Sequence, residues 1–88
     1  MLRARVVATG LVQGVFFRDA CRTEATRTGV TGWVRNRPDG AVEAVFEGSS
    51  DAVRHMVDWC RRGPRHARVD AVTASDEEPT GLRGFDVL

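Results

Sequence analysis

Eighty-eight residues favour one compact domain, residues 1–88, which must place nearly every apolar side chain in a single core. A formal net charge of +1, with 13 basic residues (all arginine) against 12 acidic ones, excludes a nucleic-acid or membrane role set by bulk charge. Two cysteines do not make a disulfide scaffold. No apolar run resembles a leader or a membrane span, so a reducing cytoplasm is the expected location.

Arg3–Thr9 alternates as a first strand, with Ala4, Val6 and Ala8 on one face and Arg3, Arg5, Val7 and Thr9 on the other. A loop containing Gly10 and Gly14 follows. Phe17–Thr28 offers a helix with Phe17, Ala20, Cys21, Ala25 and Thr28 along one face, and Gly29 is placed to end it in a left-handed cap. Thr31–Arg37 reads as a second strand, Pro38-Asp39-Gly40 as a turn, and Ala41–Glu47 as a third strand. In that strand Val42, Ala44 and Phe46 face one way, Glu43 and Glu47 the other.

A serine cap and Asp51 open a second helix, in which Val53, Met56, Val57 and Cys60 form the clearest helical stripe of the chain. Arg61 and Arg62 suit its end, and Gly63-Pro64 stops it. His66–Ala74 is predicted as a strand, the acidic stretch through Thr80 as a loop, and Phe85–Leu88 as a short closing strand. Strand, helix, strand, strand, helix, strand is the split βαβ, ferredoxin-like α+β order, with both helices on one face of an antiparallel sheet. Many functions use that fold, so the site must decide.

The informative segment runs from Gly10 to Arg18, Gly-Leu-Val-Gln-Gly-Val-Phe-Phe-Arg, out of the first strand into the first helix. Glycines let successive amides turn toward one point, and a helix start adds unpaired donors; together they make an anion nest. Arg18 in the first turn can reach the same anion with two parallel hydrogen bonds. Physics alone gives a phosphate or carboxylate site, and an ordinary glycine turn beside a solvated arginine competes with it. In the second segment, Gly32 to Glu43, Asn36 ends a strand, where its amide can hold a water or simply initiate the turn.

Taken together, the two segments resemble the signatures of the acylphosphatase family, Gly-x-Val-Gln-Gly-Val-x-Phe-Arg and Gly-Trp-Val-Arg-Asn-x-x-x-Gly-x-Val with a later glycine at Gly48. The resemblance extends through Gly63-Pro64, Ala67-Arg68-Val69 and Gly84-Phe85. It implies a hydrolase that cleaves carboxyl-phosphate anhydrides with neither metal nor cofactor. It assigns Arg18 and Asn36 as catalytic residues, Arg18 on phosphate and Asn36 on the attacking water. It makes Gln13, Gly14, Val15, Phe16 and Phe17 the phosphate-binding amides. The implied partners are a small acyl phosphate and inorganic phosphate as product and inhibitor, acting on a monomer. Glu24 and Thr28 stand where the family often has leucine, and Arg65 where a proline is common.

Cys21 and Cys60 lie on apolar helical faces and read as core. His55 and His66 have no partners at metal-ligand spacing and read as solvated, as does the run Asp76-Glu77-Glu78. Trp33 and Trp59 read as core or core edge. The alternative function is a non-catalytic binding module of the same fold. An RNA-binding module stacks bases on middle-strand aromatics, but the third strand offers only Phe46, in phase with the core.

Overall fold

A computed structural model describes residues 1–88. Its elements are β1 (Leu2–Leu11), α1 (Phe17–Thr28), β2 (Thr31–Asn36), β3 (Val42–Gly48), α2 (Ser50–Arg62), β4 (Arg68–Glu77) and β5 (Phe85–Val87). The sheet order is β4-β1-β3-β2-β5. β1 runs antiparallel to β3 with Val6 opposite Ala44, and antiparallel to β4 with Val6 opposite Ala74. β2 pairs antiparallel with β3, placing Asn36 opposite Val42.

Strand alternation sends Ala4, Val6, Ala8, Val42, Ala44 and Phe46 into the core, where they meet Phe17, Cys21 and Ala25 of α1 and Val53, Met56 and Cys60 of α2. The helical stripes read from the sequence are the buried faces. Each helix also ends as its chemistry requires: Ser49 caps α2 through its hydroxyl, and Gly29 closes α1 at φ 79°. No helix is long and apolar enough to cross a membrane.

Three expectations need correction. The closing strand is parallel, with Gly32 opposite Phe85 and Val34 opposite Val87, so the sheet is mixed rather than antiparallel. After β4 at one edge, the chain crosses the helix-free face and delivers β5 beside β2 at the other.

Glu77 is not a solvated loop residue. It lies within β4, where Arg3 Nε and Arg5 Nε donate to its carboxylate at 2.9 and 2.7 Å. His55 is not simply solvated either. It is half-buried and pairs with Glu24 at 2.5 Å, and Arg27 holds the same carboxylate at 2.6 Å. Hydrogen bonds from Arg27 and then His55 hold the Glu24 carboxyl at about 2. Glu24 therefore ties α1 to α2 through a polar contact with His55, where the resemblance led one to expect leucine packing.

Glu43, Val45 and Glu47 are buried on the helix-free face, under Arg3, Arg5 and Arg35. Glu47 is fully buried and accepts from Arg3 Nη1 at 2.8 Å and from the backbone N–H groups of Thr80, Gly81 and Leu82 at 2.9–3.1 Å. The strand connection is thus clipped onto the sheet by one carboxylate. Burial would raise the carboxyl; hydrogen bonds from Thr80, Arg3 and Leu82 outweigh it and hold it at about 2.

Candidate active site

A register shift between Thr9 and Gly10 bulges the pairing of β1 with β4, which resumes with Gly10 opposite Val69 and Leu11 opposite Arg68 before the chain leaves for α1. Gly10 is required there. Its φ is 123°, and an added Cβ would lie 2.3 Å from the Arg68 carbonyl oxygen. Gly14, at φ 74°, and Phe16, at φ 61°, then bend the loop so that α1 begins at Phe17. Phe17 is buried and packs edge-on against the Trp59 ring of α2 at 5.3 Å, which fixes the helix start.

No backbone N–H from Gln13 to Phe17 has a backbone acceptor, and α1 has no side-chain cap. The helix N-terminus is therefore open to an anion. Beside it lies a cleft of about 390 Å³. Val12, Gly14, Phe16 and Phe17 line it from the loop, Arg18 and Asp19 from the helix, and Asn36 and Val87 from the ends of β2 and β5.

Arg18 is oriented by one bond, from Nη1 to the main-chain oxygen of Leu88 at 2.9 Å. Arg3, Arg5 and Arg37, the other arginines that are not fully exposed, each hold a carboxylate within 2.9 Å. Arg18 pairs with no Asp or Glu side chain, and its remaining donors are free for a ligand anion. Asn36 sits at the end of β2 with its Oδ1 buried and without a hydrogen-bond partner. An unsatisfied buried acceptor costs about 1–3 kcal/mol, a disadvantage that a bound donor such as water removes.

The residues expected from the sequence come together with one qualification. Arg18, Asn36, Gly14, Phe16 and Phe17 all line the cleft. The side chains of Gln13 and Val15 do not. The Gln13 amide turns to the β2–β3 turn, donating to the carbonyl oxygens of Arg37 at 2.8 Å and Ala41 at 3.0 Å, while Val15 packs on the core. Only their main chain is available at the loop.

Asp19 and Val87 were not singled out by the sequence. Asp19 could have been found from its place in the first turn after Arg18, whereas Val87 required the parallel pairing of β5. Cys21 and Cys60 are buried neighbours in the core, and donation from the Cys21 thiol to Cys60, aided by burial, pushes the Cys21 thiol well above its ordinary range.

The acylphosphatase family model matches residues 4–87 of this chain, nearly its whole length. The chain belongs to the acylphosphatase family. An acylphosphatase of Rubrobacter xylanophilus is 58% identical over 86 residues, covering 97% of this chain and 78% of the relative. One from Roseiflexus is 56% identical, covering 100% and 96%. The fold agrees as well. The crystal structure of acylphosphatase from Bacillus subtilis superposes with a TM-score of 0.95 at 32% identity, covering 100% of this chain and 99% of that one. Identity this high over whole chains supports acylphosphatase activity, an acid-anhydride hydrolysis, over a non-catalytic binding module of the same fold.

Proposed function

We propose that the cleft between the Gly10–Arg18 loop and the end of β2 is where an acyl phosphate is hydrolysed, with Arg18 and Asn36 as its catalytic residues. The observation that carries this reading is the pairing of opposites across one cleft. Unpaired donors, the Gln13–Phe17 amides and the free edge of Arg18, adjoin a cleft also lined by Asn36, whose buried Oδ1 has no hydrogen-bond partner. A phosphate satisfies the donors and a water proton satisfies the acceptor.

The chemistry follows from the leaving group. A carboxylate has a pKa near ~4, so it departs without a general acid. In a loose phosphoryl-transfer transition state the protein positions the reactants and stabilises charge. The amides and Arg18 hold the three phosphoryl oxygens. Asn36 accepts a hydrogen bond from the water through Oδ1 and aims the water lone pair at phosphorus. The new P–O bond forms to water as the bond to the carboxylate breaks, and the water's proton passes to a phosphoryl oxygen, leaving a carboxylate and dihydrogen phosphate. An amide lacks the basicity to take that proton itself. The whole chain acts as one unit, and as a monomer. Its two cysteines are free and buried, which fits a reducing cytoplasm.

Phosphate release from benzoyl phosphate tests the reading. Turnover is expected to persist after exhaustive chelation, since no three His, Cys, Asp or Glu side chains come together as metal ligands. Inorganic phosphate is expected to compete with substrate. Purely noncompetitive inhibition would place the anion elsewhere.

A further inference from the structure

Phe16 combines two unfavourable features at the mouth of the cleft. It is the only non-glycine residue with positive φ, a conformation that costs a bulky side chain about 1–3 kcal/mol. Its ring is also the chain's one exposed aromatic, at 76%, whereas Phe17 and Phe46 are buried and Phe85, Trp33 and Trp59 are at least half covered. The backbone conformation belongs to the turn into α1, and a glycine or asparagine would adopt it with less strain. Nothing in the fold uses the ring. It lines the same cleft as Arg18 and Asn36 and faces solvent there.

The charges in the cleft narrow what the ring can meet. Arg18 and Asp19 are its only ionisable lining groups. The phosphate takes Arg18, so a second anionic group on the substrate would find no cation and would meet the Asp19 carboxylate instead.

We infer that Phe16 is the acyl-group contact of this enzyme, and that with Asp19 it selects acyl phosphates whose acyl part is uncharged and apolar, aromatic ones above all. The inference rests on the cleft being the site of acyl phosphate hydrolysis. The phosphoryl group lies on the loop amides, the scissile oxygen points outward, and the acyl carbon skeleton leaves the cleft across the Phe16 ring. Offset or edge contact between two rings contributes about 0.5–1.5 kcal/mol beyond area burial.

The test compares kcat/KM for acetyl phosphate, benzoyl phosphate and 3-carboxybenzoyl phosphate in the wild type and in Phe16→Asn, Phe16→Tyr and Asp19→Asn. Ratios between substrates are read, so that any effect of a substitution on the phosphate loop cancels. The benzoyl-to-acetyl ratio is expected to fall about three- to tenfold in Phe16→Asn, which suits the left-handed conformation but has no ring, and to be kept in Phe16→Tyr. The carboxybenzoyl-to-benzoyl ratio is expected to rise about two- to fivefold in Asp19→Asn, as for removal of one exposed like charge. A fall of less than threefold in Phe16→Asn, in a wild type that turns over both substrates, overturns the acyl contact while leaving the hydrolase reading intact. A wild type that releases phosphate from neither acetyl nor benzoyl phosphate overturns the hydrolase reading itself. An unchanged carboxybenzoyl ratio in Asp19→Asn removes Asp19 from the selection.

Discussion

Gln13 Nε2 donates to the Arg37 carbonyl oxygen at 2.8 Å, and the same nitrogen reaches the Ala41 oxygen at 3.0 Å. Those two carbonyls flank the Pro38–Gly40 turn, which Arg37 N–H closes onto Ala41 at 2.8 Å. One amide thus joins the loop that carries the unpaired donors to the strand end that carries Asn36. On the proposed mechanism, this side chain sets the spacing between water and phosphate, although it lies outside the cleft.

Gln13→Ala is therefore expected to lower kcat by about 10–100-fold, the scale of a misplacement near 1 Å, with a smaller effect on KM. Stability should fall by about 1–2 kcal/mol for the lost hydrogen bonds. Gln13→Glu should behave alike, because a carboxylate cannot donate to the two carbonyls. Steady-state kinetics with thermal melts checks this. Full turnover in a folded Gln13→Ala would show that the loop and the hairpin hold their spacing without the link.

Acid should unfold the protein through its helix-free face. The Glu47 carboxyl sits at about 2 when folded, below the ~4.3 of a free glutamate, so its stabilisation is complete above pH ~4.3 and is lost as pH falls toward 2. Glu24, also at about 2, and Glu43 and Glu77, both lowered, act in the same direction. The urea midpoint is expected to stay nearly constant from pH 7 to 5 and to drop steeply between about 4.5 and 2. Glu47→Gln should lose about 3 kcal/mol already at pH 7, since it strips a buried partner from Arg3 and from the Thr80–Leu82 amides. A Glu47→Gln chain as stable as the wild type at pH 7 would remove the clip.

The sequence disclosed the first six elements because each carries a local signal. Ala4, Val6 and Ala8 alternate, Val53, Met56 and Cys60 repeat at helical spacing, and glycines or Pro38 mark the breaks. The direction of β5 was not legible. Its three residues have no pattern of their own, and their course is set by a crossing anchored on Glu47, 38 residues upstream of Phe85. Glu77 was misread for a related reason. Its partners Arg3 and Arg5 meet it only through the β1–β4 register, so an acidic run looks solvated until the sheet is assembled. The residues lining the cleft were more legible than the sheet edge. Gly14, Phe17 and Arg18 are nearly contiguous and Asn36 falls in a second long motif, whereas the outward ring of Phe16 depends on a φ of 61° that no residue type announces.

The two thiols should be silent in the folded protein. Cys21 and Cys60 are essentially unexposed, and the Cys21 thiol is held protonated by its bond to Cys60 and by burial. Alkylation by iodoacetamide at pH 8 is expected to label neither until denaturant is added, with activity unaffected meanwhile. Rapid labelling with loss of activity in the native protein would mean that the α1–α2 interface opens on the timescale of turnover.

Arg18 and Asn36 should separate cleanly by kinetics. Asn36 Oδ1 is proposed to hold only the water, which contributes to the transition state and little to ground-state affinity, so Asn36→Ala should lower kcat by about 100-fold or more with KM almost unchanged. The same substitution removes a buried acceptor that has no protein partner, and stability should stay within about 1 kcal/mol of the wild type. Arg18 is proposed to touch phosphoryl oxygens in both ground and transition states, so Arg18→Ala should lose turnover and phosphate affinity together. Arg18→Lys should rescue poorly, because an ammonium supplies a point charge but cannot both donate to Leu88 and present a planar fork to the anion. Benzoyl phosphate kinetics alongside calorimetric phosphate titration reads both. Near-wild-type turnover in folded Asn36→Ala would refute the water assignment, and tight phosphate binding by folded Arg18→Ala would place the anion away from the loop.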